Sequence, residues 1–278
     1  MKKNIFVLTS LMLTLGCGCD SFLDETNYSD VTSEGGYYDT EAGLNAVVNA
    51  CYTPLRFWAG KEDAIGLSET GTDIIAAGSG CVDNNMAAYT QSLDGTNSAC
   101  TFYFDRFYAA INWCNTAIFH AQTVPNPSND EILATTLNKR EAEARVLRTF
   151  YYWILTETFG DTYYTDQPST SIVMNPVKTS TDNIYQYMFD DLDWAIKSKL
   201  STLQNDGGRV TIWTAKALKA RLLLTRASEK NDVDMYGQAY DLAKDVIENG
   251  PFELAEDFAS IWDMKNSDGN SNKEVIWY

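Results

Sequence analysis

Residues 143–161 read EARVLRTFYYWILTETFGD and carry a clear helical pattern. Their large apolar side chains recur three and four positions apart, which is the spacing of one face of an α-helix. They are Leu147, Phe150, Tyr151, Ile154 and Leu155. Gly160 follows the last of them, and a glycine at this point is typical of a helix C-terminus. The pattern predicts a long helix over residues 129–159 with an aromatic-rich buried face.

The same periodicity appears on both sides of this helix. It predicts further helices over residues 40–57, 99–122, 181–200, 211–228 and 234–249. Pro54 is expected to kink or end the first of them, because proline removes a backbone donor. Small residues such as Ala217 and Ala243 allow helices to approach closely. The sequence therefore predicts an all-α fold of tetratricopeptide-like helical repeats with long irregular loops, although the repeat length is not regular.

Residues 58–97 lose the helical periodicity and are rich in glycine. A loop this long in a compact domain is usually functional or disordered. A sugar ring has an apolar C–H face and a rim of hydroxyls, so its binder needs flat aromatic rings and short polar side chains. The candidate ligand-binding residues in this loop are Trp58, Asp73, Asn84, Asn85 and Tyr89. The alternatives are that Trp58 packs in the core and that Asn84 and Asn85 only form a turn.

The N-terminus has the layout of an export signal. Two lysines precede a short apolar run, which falls well below the ~20 apolar residues of a membrane-spanning helix. Cys17 and Cys19 each follow a glycine, as in a bacterial lipobox, where the cysteine becomes the acylated first residue of the mature protein. Cys17 has the better apolar residues upstream. We therefore expect one of the two to carry the lipid anchor.

Four further cysteines lie beyond the anchor. Cys51 and Cys114 fall on the apolar faces of predicted helices, where buried thiols are expected. Cys81 and Cys100 lie in one loop-rich stretch and could form a disulfide in an exported protein. No pair has CxxC spacing, so the sequence does not indicate redox or zinc chemistry.

The composition argues against several classes of function. The net charge of −17 would repel nucleic acid, which is therefore not an expected partner. His120 is the single histidine, which argues against a histidine metal site or a Ser-His-Asp triad. Asp190, Asp191 and Asp193 are too close in sequence to converge on one ion from a helix. We expect no metal and no cofactor.

Five stretches resemble, in the same order, the SusD/RagB family of outer-membrane nutrient-binding lipoproteins. They are residues 19–24 (CDSFLD), 41–52 (EAGLNAVVNACY), 143–161, 208–226 (GRVTIWTAKALKARLLLTR) and 240–249 (YDLAKDVIEN). The third stretch is the most specific. The first makes Cys19 the preferred lipid anchor, with Cys17 as the alternative. It also defines residues 1–18 as the signal peptide and residues 19–278 as the helical N-terminal region of the family.

This resemblance implies a surface-exposed lipoprotein of the outer membrane that performs no covalent chemistry. Members of the family act with a SusC-like TonB-dependent transporter and hand it oligosaccharides, or sometimes peptides, with ligand contacts that come largely from loops. A tetratricopeptide-type lipoprotein that binds only protein is one alternative. A helical glycosidase is another, but among 38 acidic residues no carboxylate pair is singled out.

The chain ends on an apolar segment. Residues 272–278 read NKEVIWY, which predicts the start of a strand without a partner. A natural C-terminus of this kind is unusual, because an unpaired apolar strand is prone to aggregation. We therefore expect that the C-terminal part of the family fold, which supplies further ligand contacts, is missing from this chain.

Overall fold

The computed structural model describes residues 36–59, 62–78, 84–126, 128–203, 207–266 and 272–277. The chain divides into two units, residues 1–37 and 38–278. Only the last two residues of the first unit are described, so the architecture below is that of the second. The predicted signal peptide, both candidate anchor cysteines (Cys17 and Cys19) and Cys81 lie outside the described residues.

The described part of the second unit is built almost entirely from helices. They are α1 (Glu41–Tyr52), α2 (Leu55–Ala59), α3 (Glu62–Ser68), α4 (Asn84–Ala88), α5 (Ser98–Thr123), α6 (Glu131–Phe159), α7 (Thr181–Ile196), α8 (Ile212–Lys230), α9 (Val233–Asn249) and α10 (Phe258–Ile261). Two short strands, β1 (Thr162–Tyr163) and β2 (Lys178–Thr179), pair antiparallel between α6 and α7. The predicted all-α class is confirmed.

Helix α6 is the central element, and its ends follow from its sequence. The Asp130 carboxylate accepts hydrogen bonds from the backbone N–H groups of Ile132 at 2.8 Å and Leu133 at 3.3 Å, which caps the N-terminus. Gly160 ends the helix with a φ of +69°, a conformation that glycine adopts without strain. The predicted helix therefore begins and ends within two residues of its expected bounds.

The core lies where α6 packs against its neighbours. Helix α6 contacts α5 on one side and α7 on the other, α1 packs across α5 and α6, and α8 pairs with α9. The largest fully buried side chains include Tyr103, Phe107, Leu147, Tyr151, Leu155, Ile184 and Leu192. Burying each aliphatic side chain of this size stabilises the fold by about 1.5–3 kcal/mol. Cys51 and Cys114 lie in this core as buried thiols, as predicted.

Two charged clusters are buried in the same region. The Arg148 guanidinium on α6 donates from Nε and Nη2 to the two carboxylate oxygens of Asp191 on α7, each at 2.8 Å. The Glu143 carboxylate, also on α6, accepts from Tyr52 Oη at 2.7 Å and Arg209 Nη1 at 2.8 Å. Both clusters join α6 to elements that are distant in sequence.

Two local predictions are corrected by the structure. The stretch 58–97 is not irregular throughout, because α3 and α4 form within it; helices of this length are too short to show a periodic pattern. The described residues 272–277 form no strand. Instead the Trp277 ring contacts Phe150, with 5.9 Å between centroids, and its Nε1 donates to the Gly208 carbonyl at 3.1 Å. The chain end packs as an irregular segment on the helices.

The outer face of α9 also differs from expectation. The helical spacing of Tyr236, Tyr240 and Ile247 predicts a buried apolar face, yet all three are exposed. Only Ala239 and Val246 of this helix are buried, because α9 packs mainly on α8 among the described elements. An amphipathic stripe shows which face of a helix is apolar, and the neighbouring helices decide how much of that face is covered.

Candidate ligand-binding site

A cavity of about 540 Å³ lies between α2, α3, the loop after α4, the start of α5 and the end of α6. This volume lies in the range of ligand pockets. It is lined by Trp58, Gly66, Leu67, Thr70, Tyr89, Leu93, Cys100, Glu157, Thr158 and Phe159. The cavity therefore brings together two predicted ligand-binding residues, Trp58 and Tyr89, which are 31 positions apart in the sequence.

Trp58 forms one wall of the cavity. It lies on the short helix α2, which starts directly after Pro54. Its indole packs edge-on against the buried Phe107 ring of α5, with 6.5 Å between centroids. The side chain is half-buried, so Trp58 both packs against the core and lines the cavity. The core-packing alternative and the ligand-contact prediction are thus compatible.

Tyr89 also lines the cavity. Its side chain is 80% exposed, and its backbone has a φ of +48°. A bulky residue in the left-handed region is uncommon, since its Cβ crowds the backbone. Such strain is concentrated at functional sites, where the surrounding structure holds it in place. The ring of Tyr89 is therefore presented to solvent by a strained turn at the end of α4.

Helix α4 is held by a close backbone approach. Gly71 has a φ of +91°, and a Cβ at this position would lie 3.1 Å from both the Cα and the carbonyl oxygen of Ala87. Only glycine fits this contact without a shift of the helix. The position of α4, and with it that of Tyr89, depends on Gly71.

We predict that Gly71→Ala lowers the free energy of unfolding by about 1–3 kcal/mol, because both the backbone conformation and the contact become strained. Gly207→Ala is the matched control, because Gly207 also has a positive φ (+64°) but an added Cβ would meet no atom within 4 Å. Chemical denaturation of the two variants measures the difference. Equal losses would contradict the close approach at Gly71.

The end of α6 supplies the polar side of the cavity. Glu157 is exposed, and its carboxylate accepts a hydrogen bond from the hydroxyl of the buried Tyr185 on α7. Burial and this carboxylate raise the pKa of Tyr185, so the phenol stays a donor that orients Glu157. Thr158 adds a half-buried side chain beside it. A carboxylate and hydroxyls of this kind can accept and donate hydrogen bonds to sugar hydroxyls.

Phe159 adds a third ring to the lining. It contacts Phe104 of α5 edge-on, with 5.5 Å between centroids. The helical spacing of Phe104, Tyr108 and Ile111 predicts a buried face of α5, yet Phe104 is 40% exposed. The cavity thus combines three aromatic side chains with a carboxylate and two threonines.

Asp73 and Asn85 are not among the described residues that line this cavity. Asp73 is exposed in the turn between Thr70 and Ile75. Asn85 lies in α4 and not in a turn, and its side chain accepts a hydrogen bond from the Thr90 hydroxyl at 2.7 Å, just beyond the end of this helix. Of Asn84 the structure describes only the backbone, at the start of α4.

The three acids of α7 point to different partners. Asp191 binds Arg148, Asp193 binds Lys219 and Asp190 accepts from Gln186. Within the described residues, no group of three potential metal ligands lies together. In the same part of the chain, every helix is too short or too polar to cross a lipid bilayer.

A protein-family model described as "Starch-binding associating with outer membrane", SusD-like, matches residues 72–275. The chain belongs to this family. A SusD-like protein of Bacteroides ovatus is 26% identical over 291 residues, which cover 99% of this chain and 49% of that protein. The chain therefore spans about half the length of the curated relatives it matches.

Solved structures, among them several named as SusD superfamily proteins, share the fold. The surface glycan-binding protein A of Bacteroides fluxus superposes with a TM-score of 0.65 at 23% identity, over 86% of this chain and 50% of that one. A crystal structure with a xylogluco-oligosaccharide superposes with a TM-score of 0.65 at 22% identity, over 82% and 44%. The expected SusD-like helical fold is therefore confirmed.

Proposed function

We propose that this protein binds a neutral oligosaccharide in the cavity between Trp58 and Tyr89 and serves its uptake at the outer membrane. The observation that carries the proposal is the lining itself: aromatic rings face a carboxylate and two threonines in a space of about 540 Å³. Rings can stack on the C–H face of a sugar while the polar groups bond its hydroxyls. The strained Tyr89 backbone supports a ligand-contact function for this ring.

Its relatives support this ligand class. The family description names starch binding, and among proteins of the same fold one is called a glycan-binding protein and another is crystallised with a xylogluco-oligosaccharide. We propose that the chain acts without covalent chemistry, anchored by a lipid on Cys19 and exposed at the cell surface. Its partner in uptake would be a SusC-like TonB-dependent transporter.

Binding is favoured over hydrolysis by the charges around the cavity. A glycosidase needs two carboxyl groups about 5–10 Å apart across the scissile bond. Among the described lining residues, Glu157 is the one carboxylate. A single carboxylate suits hydrogen bonding to sugar hydroxyls. Release of new reducing ends from maltoheptaose during incubation with the purified protein would contradict this proposal.

We predict that Tyr89→Ala weakens binding of maltoheptaose or a xyloglucan heptasaccharide by about 1–3 kcal/mol, since a stacking surface is removed. Trp58→Ala is expected to weaken it equally, but this residue also packs on the core. Calorimetric titration of the purified chain measures both effects. Trp262→Ala is the control, because this tryptophan is 75% exposed outside the cavity. Unchanged affinity in Tyr89→Ala, or an equal loss in the control, would refute the site.

The anchor is tested separately. We predict that Cys19→Ala abolishes incorporation of labelled palmitate when the full chain is expressed in a bacterium with a lipoprotein pathway, because the acyl chains need this thiol. Cys17→Ala should leave incorporation unchanged. The opposite result would assign the anchor to Cys17.

A further inference from the structure

Three tyrosine rings form a continuous stack from the core to the surface between α6 and α7. Tyr152 on α6 is buried, Tyr164 follows β1, and Tyr187 lies on α7. The Tyr152 and Tyr164 centroids are 5.0 Å apart with 33° between their planes. Those of Tyr164 and Tyr187 are 4.2 Å apart at 23°, which is a stacked arrangement. None of these residues lines the cavity described above.

The inner end of the stack is fixed by hydrogen bonds. The Tyr152 hydroxyl donates to the Thr165 carbonyl at 2.9 Å and accepts from the Thr165 N–H at 2.8 Å. Asn115 Nδ2 donates to the carbonyls of Thr165 and Gln167 at 3.0 and 3.1 Å. The loop that carries Tyr164 is thereby attached to both α5 and α6. A ring held this way loses little conformational freedom when it binds a ligand.

The outer end of the stack is open. Tyr187 is 39% exposed, and the Tyr164 ring is stacked on it from the inner side of the stack. Asn183 and Asp190 are exposed four positions before and three after Tyr187, so they lie on the same side of α7. Gln186 donates to Asp190 at 2.9 Å and orients its carboxylate. A preorganised flat ring is thus flanked by an amide and a carboxylate.

We propose that Tyr187 is a second carbohydrate contact, on which one pyranose ring of a neutral oligosaccharide stacks while Asn183 and Asp190 bond its hydroxyls. This inference rests on the proposed glycan-binding function and adds a site separate from the cavity. The chemistry is that of sugar recognition, since an open aromatic face meets C–H groups and polar neighbours meet the hydroxyl rim. Such a platform would let a long glycan contact the protein at two places.

Fluorine NMR of the purified chain labelled with 3-fluorotyrosine tests the platform. The Tyr187 resonance is assigned by its loss in Tyr187→Phe, and maltoheptaose and a xyloglucan heptasaccharide are the probes. We expect this resonance to shift with at least one probe, both in the wild type and in Tyr89→Ala, where the cavity contact is removed. The resonance of Tyr236, which is 40% exposed on α9, should stay in place.

The affinity of the platform for maltoheptaose and for the xyloglucan heptasaccharide is measured in the Tyr89→Ala background. Tyr187→Ala should weaken it about tenfold, whereas Tyr187→Phe, which keeps the ring, and Tyr236→Ala should change it less than about twofold. If the Tyr89 resonance shifts with sugar and the Tyr187 resonance does not, the platform is refuted and glycan binding in the cavity stands. If no tyrosine resonance responds to either sugar, both proposals are refuted.

Discussion

Replacing Arg148 with methionine is expected to lower the free energy of unfolding by about 3–5 kcal/mol, because the buried Asp191 carboxylate loses two charge-assisted hydrogen bonds and keeps only the one from Arg145 Nη1 at 2.6 Å. Arg148 is only 3% exposed and Asp191 6%. The guanidinium makes two parallel hydrogen bonds to this carboxylate and a third, from Nη1, to Asn115 Oδ1 at 2.8 Å. The substitution therefore removes hydrogen bonds that link α6 to both α5 and α7.

Chemical denaturation followed by far-ultraviolet circular dichroism measures this effect. Lys230→Met is the matched control, because Lys230 pairs with Asp182 at 2.7 Å while both side chains are about half exposed. Solvent screens such a pair, so the control should lose far less stability. The double variant Arg148→Met with Asp191→Leu should recover part of the loss, since an apolar side chain replaces the buried carboxylate that lost two hydrogen bonds, while Arg145 keeps its pair with Glu141. Equal losses in Arg148→Met and Lys230→Met would show that the buried pair does not carry the stability assigned to it.

The partner of Arg148 shows what sequence spacing can and cannot predict. Along α6, no acid lies three or four positions from Arg148, whereas Glu141 lies four positions before Arg145, and the structure pairs these two. Arg148 reaches Asp191, 43 positions away. Helix periodicity predicts which side chains are buried, whereas the partner of a buried charge depends on how neighbouring helices align. The main helices were therefore predictable from the sequence, and this ion pair was not.

The candidate site, too, was predictable from the sequence only in part. Trp58 and Tyr89 could be selected from their type and from the long glycine-rich segment that carries them. Glu157 and Phe159 could not, because the sequence shows them only as the last turn of a helix. They reach the cavity because α6 is long enough to place its C-terminal end beside α3 and Tyr89. Asp73 has a suitable type in a suitable segment, yet the turn at residues 71–74 places it outside the cavity lining.

Glu143→Gln is expected to lower the free energy of unfolding by about 3–5 kcal/mol, because two guanidinium groups then lack their shared counter-charge. The Glu143 side chain is fully buried. It accepts hydrogen bonds from Arg140 on its own helix, from Arg209 before α8 and from the Tyr52 hydroxyl at the end of α1. One carboxylate therefore joins three segments of the fold, and an amide can accept from only one side of its head group.

A double-mutant cycle separates this effect from simple loss of packing. Glu143→Gln, Arg209→Met and the double variant are compared by denaturation, and a favourable coupling energy of more than about 1 kcal/mol is expected for groups in direct contact. Glu253→Gln serves as the control, because Glu253 pairs with Lys273 while 70% exposed and its neutralisation should have little effect. Strictly additive losses would mean that Glu143 stabilises the fold without Arg209. A coupling of the expected size would identify the Glu143 carboxylate as the electrostatic link between α6 and the segment that leads into α8.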